Sequence, residues 1–174
     1  MIKNNTCCFI GHRKIEVTDG IKNQLRRTII NLISEQSVNT FLFGSKSEFN
    51  DLCYEIVSEL KNEYKYLKRI YVRAEFPYIN DSYKNYLSER YEATYFPEKI
   101  ANAGKASYIE RNYDMIDNSN FCIMYYNENY TLPDKTNKSG FIIRESKSGT
   151  KIAYDYALKK NIKLINIFSN NVSF

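Results

Sequence analysis

Short, continuous apolar runs alternate along this chain with longer stretches in which apolar residues recur every three or four positions. Thr6–Ile10, Thr40–Phe43, Arg69–Arg73, Asn120–Tyr125 and Lys163–Phe168 are the short runs. Each is rich in β-branched, aromatic or thiol side chains, and each reads as a buried strand. Gly11 and Gly44 stop the first two. The stretches between them carry helical periodicity. Ile21, Leu25, Ile29, Leu32 and Ile33 fall on one face, behind Thr18 or Asp19 as the cap. Phe49, Leu52, Cys53, Ile56, Val57 and Leu60 follow the i, i+3, i+4, i+7 rule most closely. Further helices are expected around Ser82–Glu92, from about Lys105 to Asp117, and over Thr150–Leu158. Pro77 and Pro97 bracket a polar, Tyr-rich stretch, and residues 127–147 are polar and read as a loop.

Short apolar strands separated by helices belong to a parallel sheet covered on both faces. With right-handed crossovers few topologies remain. The expected architecture is an α/β, Rossmann-like three-layer sandwich with a mainly parallel five-stranded sheet in the order 3-2-1-4-5. In such sheets ligands bind beyond the carboxyl ends of the strands, where the order reverses. That switch point lies between the first and fourth strands.

The 174 residues fit one domain over 1–174. With 43% hydrophobic and 26% charged residues the composition is that of a globular protein. No segment approaches the roughly 20 apolar residues that span a bilayer, and the N-terminal apolar run is too short for a signal-peptide core. A cytoplasmic protein without a membrane partner is expected. The net charge of +5 is spread without long like-charge runs. It suits a phosphorylated small molecule better than nucleic acid, which ranks low as a partner. Cys7, Cys8, Cys53 and Cys122 form no C-x-x-C pair and the chain has 1 His. No metal and no cofactor are expected, and the thiols read as small buried hydrophobes.

The candidate chemistry lies at strand ends and helix starts. Gly11-His12-Arg13 follows the first strand. Gly11 lets the backbone turn and a ligand approach, His12 is a proton donor or acceptor near neutral pH, and the Arg13 fork pairs with phosphate. Gly44-Ser45-Lys46-Ser47 opens the strongest helix, where backbone N–H groups favour anions. It lacks the phosphate-loop spacing, and Ser45 or Ser47 would cap an ordinary strand-to-helix connection equally well. Ser148-Gly149-Thr150 opens the last helix in the same way. Arg111 and Asn112 reach toward the same edge from the preceding helix, although a solvated helix face accounts for them too.

Cys8-Phe9-Ile10-Gly11-His12-Arg13 resembles the opening of the YpsA-like branch of the SLOG superfamily, which includes the DprA/SMF and LOG proteins. The resemblance continues through Phe41-Leu42-Phe43-Gly44 into Phe49-Asn50-Asp51-Leu52. It returns at Arg111-Asn112 with Met115-Ile116-Asp117, and ends on Ser148-Gly149-Thr150, Ala153 and the closing strand. It implies a Rossmann-like fold that recognises nucleotides or nucleotide-derived ligands, with a homo-oligomer as a family-level expectation. LOG relatives cleave N-glycosidic bonds through a P-G-G-x-G-T-x-x-E motif. Here Ala153 stands at the glutamate position and the glycine pair has no counterpart. Asn50 stands where the YpsA-like pattern has Asp, with Glu48 or Asp51 as candidate substitutes. Binding of a nucleotide-like small molecule therefore ranks first. An N-glycosidase using His12, Glu48 or Asp51 comes second, and DprA-like nucleic-acid binding third.

Overall fold

In the computed structural model, residues 5–75, 77–130, 148–168 and 171–173 are described. Strand β1 spans Thr6–Gly11, β2 Thr40–Phe43, β3 Lys68–Val72, β4 Ala93–Tyr95, β5 Phe121–Tyr125, β6 Lys163–Asn166 and β7 Asn171–Ser173. Helix α1 spans Asp19–Gln36, α2 Glu48–Leu60, α3 Asp81–Arg90, α4 Ser107–Asp117 and α5 Gly149–Lys159. All strands join one 7-stranded sheet in the order β4-β3-β2-β1-β5-β6-β7. Its centre is the expected order, with β5 and β6 as the fourth and fifth strands. All pairings are parallel except that of β7 with β6.

The sheet is wider than expected by an edge strand on each side. β4 falls in the Tyr-rich stretch, where three residues are too few to show a period. What fixes it is partly electrostatic. Glu92 accepts from the backbone N–H of Arg69 at 2.7 Å and from its guanidinium at 2.8 and 3.2 Å. Burial pushes the Glu92 carboxyl up, but these Arg69 bonds outweigh it and hold the group at about 2. The last long strand ends at Asn166 rather than Phe168. Of the expected loop 127–147, residues 131–147 lie outside the described set.

Side chains alternate through the sheet into two cores. Cys7, Phe9, Phe41, Phe43 and Ile123 pack under Leu25, Ile29, Phe49, Cys53 and Val57 of α1 and α2. Cys8, Ile10, Leu42, Cys122 and Met124 pack under Met115, Ile116, Ala153 and Ala157 of α4 and α5. Burying each larger side chain contributes roughly 1.5–3 kcal/mol, so helix period and strand alternation together specify which face each element turns inward. All four cysteines are buried, and burial pushes the thiols of Cys7, Cys53 and Cys122 up. Thr18, of the two expected caps, caps α1 by accepting from the Ile21 N–H. No helix among the described residues is long and apolar enough to cross a membrane.

Candidate functional site

Helices α1 and α2 cover one face and α4 and α5 the other, so the chain changes sides between β1 and β5. Gly11 is the register partner of Tyr125 there, and the His12 N–H donates to the Tyr125 carbonyl at 3.3 Å. The carboxyl ends of β1, β2 and β5 and the start of α5 meet at this edge.

Gly11 is required by packing. A Cβ there would lie 2.4–2.7 Å from the ring and Cβ of Phe49, so its absence lets α2 sit directly on the end of β1. At the end of β2, Gly44 and Ser45 donate their N–H groups to Asn50 Oδ1 at 3.2 and 3.4 Å. Asn50 Nδ2 donates to the Phe9 carbonyl at 3.1 Å. These two amides therefore serve the fold. Ser47 caps α2 by accepting from the Asn50 N–H, and its hydroxyl lies 2.8 Å from that of Ser45. The Asn50 carboxamide, 3% exposed, needs both its donor and its acceptor, which explains why Asp does not stand here. Asn50→Asp removes the donor and sets a carboxylate against the Phe9 carbonyl. We expect a loss of about 2–3 kcal/mol, read as a lower urea midpoint with an unchanged slope.

Asn166 does the same service across β5 and β6. Its Oδ1 accepts from the Tyr126 N–H at 3.0 Å and its Nδ2 donates to the Tyr126 carbonyl at 2.9 Å. The next residue, Asn127, donates its N–H to His12 Nε2 at 3.0 Å. The Asn127 carbonyl lies 3.2 Å from the same nitrogen, but the amide cannot give up its proton, so Nε2 accepts and the ring proton sits on Nδ1. Asn50 and Asn166 were visible in sequence as polar residues on otherwise apolar faces. Their hydrogen bonds, running to backbone groups of other elements, leave no local pattern.

His12 is 1% exposed, and burial pulls its pKa below the usual 6.5. Below about pH 6.5 the unfolded chain takes up a proton that the folded chain refuses, so stability is complete above that pH and falls as acid is added. We expect the urea midpoint of His12→Gln to change less between pH 7.5 and 5.5 than that of the parent.

Glu48 is a clamp. It accepts from Lys14 Nζ at 2.6 Å and from the Ile15 N–H at 3.0 Å, and Lys14 holds its carboxyl below the usual range. Its own N–H donates to the Arg13 carbonyl at 3.0 Å. Asp51 is exposed on the first turn of α2, and Arg13 is exposed. The Arg13 side chain makes no ion pair among the described residues.

Arg111 is the reverse case, with 2% of its surface exposed. Its Nη1 donates to the Gly44 carbonyl and its Nε to Asn112 Oδ1 at 3.1 Å. The guanidinium lies 5.6 Å from the Tyr108 ring centroid. It forms no ion pair with any described carboxylate. Burial lowers its pKa from the usual guanidinium range, yet an arginine remains protonated at neutral pH. The Glu75 carboxylate acts on it only from beyond ion-pair distance, so a desolvated cation is held at the end of β2 without a direct counter-ion.

On the other side of the edge, Ser148 caps α5 by accepting from the Lys151 N–H at 3.1 Å. A Cβ on Gly149 would meet no described residue within 4 Å. Thr150 is buried. Hydrogen bonds thus connect the first two loops and Arg111, while α5 packs its own start beside Tyr126.

A family model described as the YspA SLOG family matches residues 8–165. The chain belongs to that family. The match runs from β1 to β6 and so takes in every loop of this edge. No curated protein matches the chain. Within this SLOG chain, position 153 is informative: Ala153 is 1% exposed and packs into the core with Cys8 and Ile10.

Proposed function

We propose that this SLOG chain binds a nucleotide or nucleotide-derived small molecule at the carboxyl edge of its sheet, without hydrolysing it. The observation that carries the reading is Arg111. Burying a guanidinium costs several kcal/mol unless a counter-charge offsets it, and a phosphate supplies that charge through oxygens that the planar fork grips in pairs. Exposed Arg13 and the start of α5, where N–H groups and the helix dipole favour anions, add to the attraction.

Hydrolysis of an N-glycosidic bond needs an acid or base free to move a proton. Glu48 is ion-paired to the loop it clamps, His12 accepts at Nε2 and offers only the weakly acidic Nδ1 proton of a neutral imidazole, Asp51 stands exposed on the first turn of α2, and the position of the LOG glutamate is a core alanine. A ligand-recognition role therefore uses the residues present, and a glycosidase role does not.

Isothermal titration against nucleoside monophosphates, dinucleotides and nucleotide sugars tests the proposal. One site of micromolar or tighter affinity is expected for at least one of them, with no free base released. No heat with any member overturns it.

A further inference from the structure

His12 carries more aromatic surface around it than the fold requires. The Tyr130 ring lies on its imidazole at 3.9 Å between centroids and 10° between planes. Tyr126 is 5.9 Å from His12 and stacks on Tyr154 at 4.4 Å, with Lys151 Nζ 5.7 and 5.9 Å from the two tyrosine rings. Tyr126 and Tyr130 belong to neither core. They gather at the switch point, where ligands of such sheets are held.

In the free chain this cluster is closed on itself. His12 Nδ1, the donor left over once Nε2 accepts from Asn127, is buried with no hydrogen-bond partner among the described residues. Tyr130 covers the imidazole while sitting on a single turn, its N–H donating to the Asn127 carbonyl at 3.1 Å. Its hydroxyl makes no hydrogen bond among the described residues. Displacing the ring gives Nδ1 access to water or to a ligand acceptor.

Resting on the nucleotide reading above, we infer that the Tyr130 ring occupies the base subsite of the free chain, and that a planar heteroaromatic base displaces it and stacks on His12. Tyr130 is then a competitor built into the site. A purine has a larger stacking surface than a phenol, and every base has a face that can stack. The phosphate end is held separately, at Arg111, so the subsite discriminates nucleotides from sugar phosphates.

The chain has 1 His, so the ring protons of His12 are a reporter that needs no assignment. In proton NMR they are expected upfield, shifted by the Tyr130 ring current, and Tyr130→Ala removes that shift. With AMP, GMP or UMP bound, their nuclear Overhauser contacts to Tyr130 give way to contacts with base protons. Tyr130→Ala binds these nucleotides about tenfold tighter and ribose 5-phosphate unchanged. If a nucleotide binds by calorimetry while His12 keeps its contacts to Tyr130, or if Tyr130→Ala gains no affinity, the base subsite is wrong and the nucleotide reading stands. If no nucleotide binds, both fall.

Discussion

Arg111→Met weakens nucleotide binding at least 100-fold while leaving the chain folded. A charge-assisted hydrogen bond is worth roughly 1.5–3 kcal/mol, and a factor of 100 corresponds to about 2.7 kcal/mol, so loss of the fork accounts for the drop. The fold tolerates the change because methionine is unbranched and adaptable, and because replacing a buried ion by an apolar group of similar volume is often neutral. The opposing cost is the Gly44 carbonyl, which loses its Arg111 partner, at about 1–3 kcal/mol. Arg111→Lys keeps the charge but not the planar geometry, and an intermediate loss of about tenfold is expected. Calorimetry on both variants, with thermal melts as the folding control, checks this. Parental affinity in Arg111→Met would remove the guanidinium from the site.

Gly11→Ala destabilises the chain by about 3 kcal/mol. The added methyl meets the Cβ and ring carbons of Phe49 at 2.4–2.7 Å. Rotation of the Phe49 ring cannot clear its own Cβ, so α2 must retreat from the end of β1. Overpacking of this kind costs typically 1–3 kcal/mol, and the site lies at the upper end because Phe49 is fully buried. For a chain of this size about 3 kcal/mol lowers Tm by roughly 6–12 °C. Two independent losses would add, whereas a steric pair must couple. Gly11→Ala combined with Phe49→Ala, which removes the ring carbons at 2.4 and 2.6 Å, is therefore expected to melt above the temperature that simple addition gives. Strict additivity would show that Gly11 is needed for some other reason.

The helices and central strands were legible because burial imposes a period on them. The face of α2 from Phe49 to Leu60 is both the cleanest pattern in the chain and a fully realised core. β4 was not legible, because Ala93–Tyr95 is too short for alternation and its anchorage runs through Glu92 to Arg69. β7 reverses direction after β6, outside the strand–helix alternation that pointed to the rest.

The loops lie at the carboxyl edge of the sheet, and several of their polar groups are engaged within the fold. Gly44 and Ser45 looked like an anion cradle, and their amides are spent on Asn50. Asn50 looked like a missing carboxylate, and a carboxylate could not make its bond to Phe9. For Arg111 the sequence leaves both a ligand contact and a solvated helix face open, because a single polar position on a helix does not reveal that it crosses under the end of a neighbouring strand. The reason is common to all three: hydrogen bonds between distant elements are chosen by tertiary geometry and leave no spacing in the chain.

A crystal structure of the chain with its tightest nucleotide from the calorimetric panel tests the central claim most directly. The account predicts a phosphate within hydrogen-bond distance of Arg111 at the carboxyl edge of β2, with the rest of the ligand crossing toward His12 and the start of α5. Ligand density elsewhere on the molecule, with Arg111 still bound only to Gly44 and Asn112, would contradict it.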